Sequence, residues 1–385
     1  MKKILFFPLL SMPSGHHQVA DTLTSYLRKR NPKFICKKID LLSKWNPLFE
    51  SIITKTYLEW IYHSPKTYAW VYKQMAHTSK EQRSYKYYEF LFLKKMKQII
   101  SEEKPDLIIC THGFPSYFLS RLKTRDQCQI PVINVYTDFF VNDVWGREGI
   151  DYHFVPSQVV KNELLEKSGV SEGQIFITGI PIAEQFDKRL NSIKGRSGCN
   201  VLVSGGSVGL GNMMDLLQRQ KEDKEIEYFV LCGKNKKLYQ SIVRLNYKNI
   251  HPIPYISSKE KMNELYNKVD AIITKPGGVT ISEALMKGLP IFIHSALPGQ
   301  EEINLKFLKE MKLVHELNDK QSLEDQLIDF FKDTLLFDRF QDSVQRYLSE
   351  LEAGKPEYIS TLIDSVIETN DTAWISEIER RKKVQ

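Results

Sequence analysis

Short apolar runs alternate with amphipathic stretches along the whole chain, and that alternation predicts parallel sheets flanked by helices. In the first half, runs of strand length fall near Lys3–Leu9, Lys33–Ile39, Asp106–Thr111, Val132–Thr137, His153–Val155 and Gln174–Thr178. A second series follows near Asn200–Ser204, Glu227–Leu231, Ile250–Ile253, Ala271–Thr274 and Pro290–His294. Between the two lies Asp187–Cys199, which is polar, basic and glycine-containing and reads as a linker. The predicted fold class is therefore α/β, with two Rossmann-like domains, 1–186 and 200–356, joined by 187–199. Doubly wound domains that face each other across a cleft bind ligands at the carboxyl ends of their strands. No internal repeat or low-complexity tract interrupts the pattern.

Composition narrows the class. A chain of 385 residues is long enough for two cores, and 42% hydrophobic with 26% charged residues is the balance of an ordinary soluble protein. No apolar run approaches the roughly 20 residues that cross a bilayer. The apolar start is broken at Pro8 and Pro13 and lacks a small-residue cleavage site, so it reads as a first strand rather than a signal peptide. Cys36, Cys110, Cys128, Cys199 and Cys232 are scattered with no C-x-x-C pair, as expected of reduced core thiols in a cytosolic protein. The formal charge of +7 matters mainly where it is concentrated.

The clearest chemistry lies between Ile272 and Leu285. This stretch reads as a buried strand, a Gly277-Gly278 turn and a helix running to about Lys287. Consecutive glycines let the backbone approach a ligand closely. The helix start offers unpaired N–H groups and the positive end of its dipole, a place to hold a diphosphate. Glu283, about one turn into the helix, is placed to accept hydrogen bonds from vicinal sugar hydroxyls. Downstream, Pro290–His294 leads into Pro298-Gly299-Gln300-Glu301-Glu302-Ile303-Asn304, a second junction rich in amides and carboxylates. Taken alone, a tight turn in any α/β domain explains the same pattern.

Together, KPGGVTISEALMKGLPIFIHSALPGQEEIN (275–304) resembles the nucleotide-sugar site of glycosyltransferase family 28. Within that family it resembles the branch of monogalactosyldiacylglycerol synthases and bacterial processive diacylglycerol glucosyltransferases. The pattern of that branch, KPGG-[LIV]-T-x-x-EAL, then GLP, then PGQE-x-x-N, is met at every fixed position. The resemblance implies the GT-B fold of two Rossmann-like domains, with the last helices, 357–385, crossing back to the first domain. It implies that Gly277, Gly278, Thr280 and the helix dipole stabilise a departing UDP diphosphate, with no obligatory metal or cofactor. Glu283 would hold the ribose, and Gln300 and Glu301 the hydroxyls of the transferred sugar. Ile256 backbone groups would read the uracil, with Tyr255 or Met262 packed beside it. The glycine-rich loop Val203–Gly211, with Gly206 and Ser207, lacks the G-x-G-x-x-G spacing but would clamp the same diphosphate.

The acceptor half is less specific. Ser11–Ala20 follows the first strand and opens a helix. An imidazole at such a junction is suited to take a proton from a hydroxyl, though in isolation a histidine there is more often a surface or capping group. The family carries Gly-His here, which Gly15 and His16 match, so the resemblance implies His16 as general base or acceptor-orienting group and His17 as a second. Pro13 stands where the family has a further glycine. His112, at another strand-to-helix junction, either touches substrate or is satisfied by backbone. Tyr136–Trp145 resembles the family's T-D-x-x-x-x-H-x-x-W, with Thr137, Asp138 and Trp145 matching and Asn142 in place of the histidine. Asparagine hydrogen-bonds but carries no proton in catalysis. Asp138 either orients the acceptor and supports His16 or caps the next element.

Trp45 to Phe92 interleaves aromatic residues with lysines, chemistry suited to the interface of an anionic bilayer. Nucleic-acid binding uses similar groups, but no nucleic-acid motif accompanies them. Packing of the aromatics onto the first domain, with solvated lysines, is the plain alternative. The resemblance spans Gly15 to Asn304 and implies an inverting hexosyltransferase. It would act from a UDP-sugar donor onto a membrane lipid acceptor, diacylglycerol or a glycosyl-diacylglycerol. The enzyme would be cytoplasmic and held peripherally at the inner face of the cell membrane. A UDP-sugar epimerase on the same fold and a non-catalytic UDP-sugar sensor stay open, the second because of Asn142.

Overall fold

A computed structural model of the chain describes residues 1–9, 14–45, 67, 86–186, 199–205, 213–218, 226–351 and 354–368. The chain divides into two compact units, Met1–Pro181 with Glu350–Gln385, and Ile182–Ser349.

Unit 1 runs β1 (Lys3–Phe7), α1 (Gly15–Arg30), β2 (Ile35–Lys38), α2 (Leu41–Trp45), α3 (Lys86–Glu103), β3 (Leu107–Cys110), α4 (Gly113–Lys123), β4 (Val132–Val135), β5 (Tyr152–Val155), α5 (Gln158–Ser168) and β6 (Ile175–Ile177). Its six strands are all parallel, in the order β2-β1-β3-β4-β5-β6. Strands β3 to β6 are buried at every residue, which explains their near-continuous apolar sequences. Local signals set the helix ends. Ser157 caps α5 by accepting the Val160 N–H at 3.4 Å, and Gly169 closes it with a left-handed φ of 63°.

Unit 2 runs β7 (Cys199–Ser204), α6 (Met213–Gln218), β8 (Ile226–Leu231), α7 (Lys236–Leu245), β9 (Ile250–Ile253), α8 (Lys259–Lys268), β10 (Ala271–Thr274), α9 (Gly278–Met286), β11 (Ile291–Ile293), α10 (Gln300–Glu310), β12 (His315–Glu316), α11 (Leu323–Lys332) and α12 (Thr334–Ser349). These strands are again parallel, in the order β12-β11-β10-β7-β8-β9. After α12 the chain returns to unit 1, where α13 (Pro356–Glu368) packs on α1 and Arg30 Nε meets Asp364 Oδ2 at 2.9 Å. The return begins at Glu350, earlier than the boundary expected at 357, because Leu351 already lies against Gly179 and the unit 1 core.

All the expected strands are present, several a residue or two shorter where the chain leaves the sheet. Two details differ. Cys199 is not the end of a linker but the first residue of β7, paired with Ile226, so the sheet begins there. The two-residue β12 was not expected, being too short for periodicity to show.

The strand orders locate the sites. From β1 the chain winds outward to β2, then returns to lay β3 on the other side. From β7 it winds to β8 and β9, then lays β10 on the other side. Each sheet therefore has a switch point, between β1 and β3 and between β7 and β10, and a crevice opens there at the carboxyl ends. The flanking strands carry wholly buried Ile4, Leu5, Ile108, Ile109, Ile272 and Ile273. At about 1.5–3 kcal/mol per buried side chain, these hold the switch-point loops more firmly than any helix propensity does. No helix among the described residues is long and apolar enough to cross a membrane.

The loop after β4 is fastened onto α4 through Gly146, whose carbonyl accepts from Asn134 Nδ2 at 2.7 Å and Ser116 Oγ at 3.3 Å. A Cβ at 146 would stand 2.4 Å from the Ser116 carbonyl oxygen and 2.5 Å from Ser120 Cβ. Gly146→Ala is accordingly expected to cost about 1–3 kcal/mol of stability, seen as a lower midpoint in urea unfolding.

Candidate active site

In unit 2, β10 ends at Thr274 and α9 begins at Gly278, with Gly277 as its N-cap. Gly277 has φ −84° and ψ 134°, a conformation any residue adopts, so the turn itself does not require glycine. Among the described residues, a Cβ there would meet nothing within 4 Å, and Gly277 faces open space in front of a helix N-terminus. Thr280 sits half-buried on the first turn of α9. Buried Asn304 donates Nδ2 to the Pro276 carbonyl at 3.1 Å, which ties α10 to this loop.

Glu283 is buried to 6% exposure. Its Oε2 accepts from the Tyr266 hydroxyl at 3.3 Å, and its Oε1 lies 3.7 Å from Lys259 Nζ. Burial raises its carboxyl above the ordinary range, and Lys259 and Tyr266 oppose that rise. Two side chains of α8 therefore orient the carboxylate. Gln300 opens α10, and Glu301 Oε2 accepts from the Leu297 N–H at 2.6 Å, which shapes the loop before the helix. Tyr255 follows β9 with a ring 49% exposed, and Lys234 Nζ stands 5.3 Å over its centroid. Ile256 is half-buried beside it. Gly206 and Ser207 lie outside the described residues.

Sequence reasoning left Lys275 and His294 unassigned here. Lys275 follows β10, whose sequence is Ala-Ile-Ile-Thr, and is 6% exposed. His294 follows β11. Its Nδ1 lies 3.0 Å from Ser295 Oγ, while its Nε2 is buried with no hydrogen-bond partner. Burial and the charge of Lys275 push His294 down to about 4. A lysine directly after the buried run Ala-Ile-Ile-Thr and before Pro-Gly-Gly was the signal available.

In unit 1, His16 is the second residue of α1, at the β1/β3 switch point, and Gly15 is the first. His16 Nδ1 lies 2.8 Å from the Thr111 carbonyl oxygen and 2.8 Å from Thr137 Oγ1. A carbonyl only accepts, so Nδ1 carries the proton and Nε2 keeps its lone pair. Burial lowers the pKa of His16, the charge of Asp138 and the Thr111 bond oppose this, and His17 adds to it. Asp138 is half-buried at the end of the segment after β4.

His112 caps α4, with Nδ1 accepting from the Phe114 N–H at 3.0 Å. Its proton is therefore on Nε2, the opposite tautomer to that of His16, and the two rings meet edge-on at 4.6 Å. Backbone thus satisfies His112, as one of the two sequence readings held. Asn142 Oδ1 accepts from the Val144 N–H at 3.2 Å, and its carbonyl receives the Trp145 N–H at 3.3 Å, so the residue also builds its own turn.

Of the aromatic and basic region, residues 46–66 and 68–85 lie outside the described residues. One member is corrected. Phe92 is buried against Phe114 and Phe118, with centroids 5.2 and 5.3 Å away, and it packs α3 onto α4 instead of facing a membrane. Phe90, on the same helix, is 64% exposed.

Residues 16–182 match the family model described as monogalactosyldiacylglycerol (MGDG) synthase, and residues 200–343 the one described as glycosyltransferase family 28 C-terminal domain. A Bacillus subtilis (strain 168) protein named uncharacterized glycosyltransferase YkoN is 42% identical over 359 residues, spanning 92% of this chain and 95% of that one. Processive diacylglycerol beta-glucosyltransferase of Bacillus cereus (strain AH187) is 29% identical over 366 residues, spanning 92% and 90%. Among solved structures, S. aureus MnaA with UDP superposes with a TM-score of 0.59 at 14% identity, covering 95% of this chain and 96% of its own. MurG of Acinetobacter baumannii gives 0.59 at 12% identity, covering 95% and 100%. At such identities these two structures share the fold of two Rossmann-like domains.

The open space at Gly277 makes a contrast with Gly146. Gly277→Ala is expected to change unfolding free energy by no more than about 0.5 kcal/mol in urea. If a nucleotide diphosphate seats before α9, the same variant should weaken UDP binding in calorimetry, because the added methyl occupies that space.

Proposed function

The chain belongs to glycosyltransferase family 28, in its monogalactosyldiacylglycerol synthase and diacylglycerol glucosyltransferase branch, and on that premise we propose its reaction. It moves a hexose from a UDP-sugar to a membrane lipid, diacylglycerol or a glycosyl-diacylglycerol, with inversion at the anomeric carbon. The observation that carries this reading is the β10–α9 junction, where open space faces a helix N-terminus and buried Glu283 stands a turn further in.

The acceptor oxygen attacks the anomeric carbon while Nε2 of His16 takes its proton. The bond from that carbon to the β-phosphate oxygen breaks, and UDP departs with the electron pair. Asp138 favours the imidazolium that forms, consistent with its effect on His16. The α9 N-terminus, Gly277, Gly278 and Thr280 stabilise the diphosphate without an obligatory metal, and Gly206 and Ser207 meet it from the β7 loop. Glu283 holds the ribose, Gln300 and Glu301 the sugar hydroxyls, and Tyr255 and Ile256 the uracil. The region around Trp45–Phe92 docks on the anionic inner face of the cell membrane, a reading that exposed Phe90 supports.

UDP release from a panel of UDP-sugars, with and without anionic liposomes containing diacylglycerol, tests the proposal. Release with one sugar only when lipid is present, with a new glycolipid by mass, is expected. Sugar isomerisation without lipid would instead indicate an epimerase, and UDP binding without turnover a sensor. His16→Ala should lower turnover by about 10²–10⁴-fold and spare UDP binding, whereas Glu283→Ala should weaken UDP binding itself. The pH profile follows from the lowered pKa of His16. Its base form persists below the ordinary value of 6.5, so the acid limb of kcat/KM should lie below that pH. An acid limb at or above 6.5 would remove His16 as the base.

A further inference from the structure

Two buried threonines hold the His16 ring at the nitrogen opposite its basic one. The Thr111 main chain reaches Nδ1 from the end of β3 and the Thr137 side chain from beyond β4, each at 2.8 Å. Thr137 is 4% exposed, and a β-branched side chain has few rotamers open to it. Its backbone is fixed as well. The preceding Tyr136 donates its N–H to the Phe154 carbonyl at 3.1 Å, and its buried hydroxyl lies 2.9 Å from His153 Nδ1. Because the Thr111 carbonyl only accepts, Nδ1 carries the proton, and Thr137 Oγ1 is the second acceptor of that N–H. When Nε2 takes a proton the ring becomes imidazolium, and a hydrogen bond from a charged donor is about twice as strong as one from a neutral donor. An acceptor on Nδ1 therefore gains most as the proton arrives at Nε2. That is the condition for lowering a barrier rather than only holding a side chain.

We propose that Thr137 is a positioning residue for proton transfer, its hydroxyl holding the His16 ring in place and stabilising the imidazolium that forms. The inference rests on the reading of His16 as the base and goes beyond it by assigning the ring's second anchor to a side chain. In the reaction, the acceptor hydroxyl gives its proton to Nε2, its oxygen bonds to the anomeric carbon, and UDP leaves with the electron pair. Nδ1 and Thr137 Oγ1 exchange no proton. Other groups act on the ring through charge: Asp138 from the segment after β4, His17 from α1, and the neighbouring ring of His112 from the cap of α4. A substitution at Thr137 leaves all three in the chain. Valine is close to threonine in shape, and it leaves the Nδ1 N–H with the Thr111 carbonyl, so the tautomer is kept and no buried donor is stranded.

The test follows the His16 imidazole by nitrogen-resolved NMR titration of the ligand-free protein, its signal being the one lost in His16→Ala. UDP release with diacylglycerol-containing anionic liposomes is measured alongside, in wild type, Thr137→Val and Thr137→Ser. Losing an acceptor on Nδ1 disfavours the imidazolium, so Thr137→Val should move the His16 titration about 0.5–1 pH unit lower. UDP release should fall by about 5- to 20-fold, with UDP affinity unchanged. Thr137→Ser, which keeps the hydroxyl, should restore both. Thr137→Ala serves as a second hydroxyl-free variant should valine lower the melting temperature. The inference is overturned if either the titration or the rate of the hydroxyl-free variant stays at the wild-type value. It is equally overturned if Thr137→Ser is as impaired as Thr137→Val, which would make the residue a packing element only. Wild-type UDP release in His16→Ala would instead overturn the base reading, and is seen without any change at Thr137.

Discussion

The reversal of winding direction in each parallel sheet is the constraint on which the rest depends. Two adjacent parallel strands whose following helices lie on opposite faces cannot close the space above their carboxyl ends. In unit 1 those strands are β1 and β3, and the loops they release carry His16 on one side and Thr111 with His112 on the other. In unit 2 they are β7 and β10, and the second of them releases the lysine, proline and two glycines before α9. The candidate groups sit at these points because the apolar cores of the strands hold them there.

Two charged side chains are buried beside the β10–α9 junction of unit 2. Glu283 is buried with company, a tyrosine hydroxyl at 3.3 Å and an ammonium at 3.7 Å, so its orientation is set before any ligand arrives. Lys275 is equally buried, and the charge of Glu301 acts on it. An oriented carboxylate suits neutral hydroxyl donors, which bring no charge to offset its own.

Much of this was readable in the sequence, for reasons that differ by residue. The strands were found because a parallel strand buried on both faces must be a continuous apolar run, and Ala271–Thr274 is such a run. The position of Glu283 followed from counting one helical turn from Gly278. Other features depend on contacts that periodicity cannot express. Nothing in the order of residues shows that Tyr266 and Lys259 reach Glu283, that Asn304 reaches Pro276, or that Phe92 turns inward while Phe90 turns out. Lys275 was visible as a motif letter. Its burial appears only in the structure.

The acceptor half shows how a departure from a family pattern can be absorbed. With Asn142 in the place of a histidine, the loop after β4 has no second imidazole at that point, and the asparagine oxygen instead holds the Val144 N–H. The loop after β1 keeps its histidine, His16. There the backbone carbonyl of Thr111 fixes the tautomer of His16 and frees Nε2, while His112, held in the opposite tautomer by the cap of α4, cannot substitute for it at the same nitrogen. A carbonyl has no proton to give, so this assignment survives changes in the side chains around it. The basic nitrogen of unit 1 is consequently defined by main-chain geometry, and Asp138 modulates how readily that nitrogen accepts a proton.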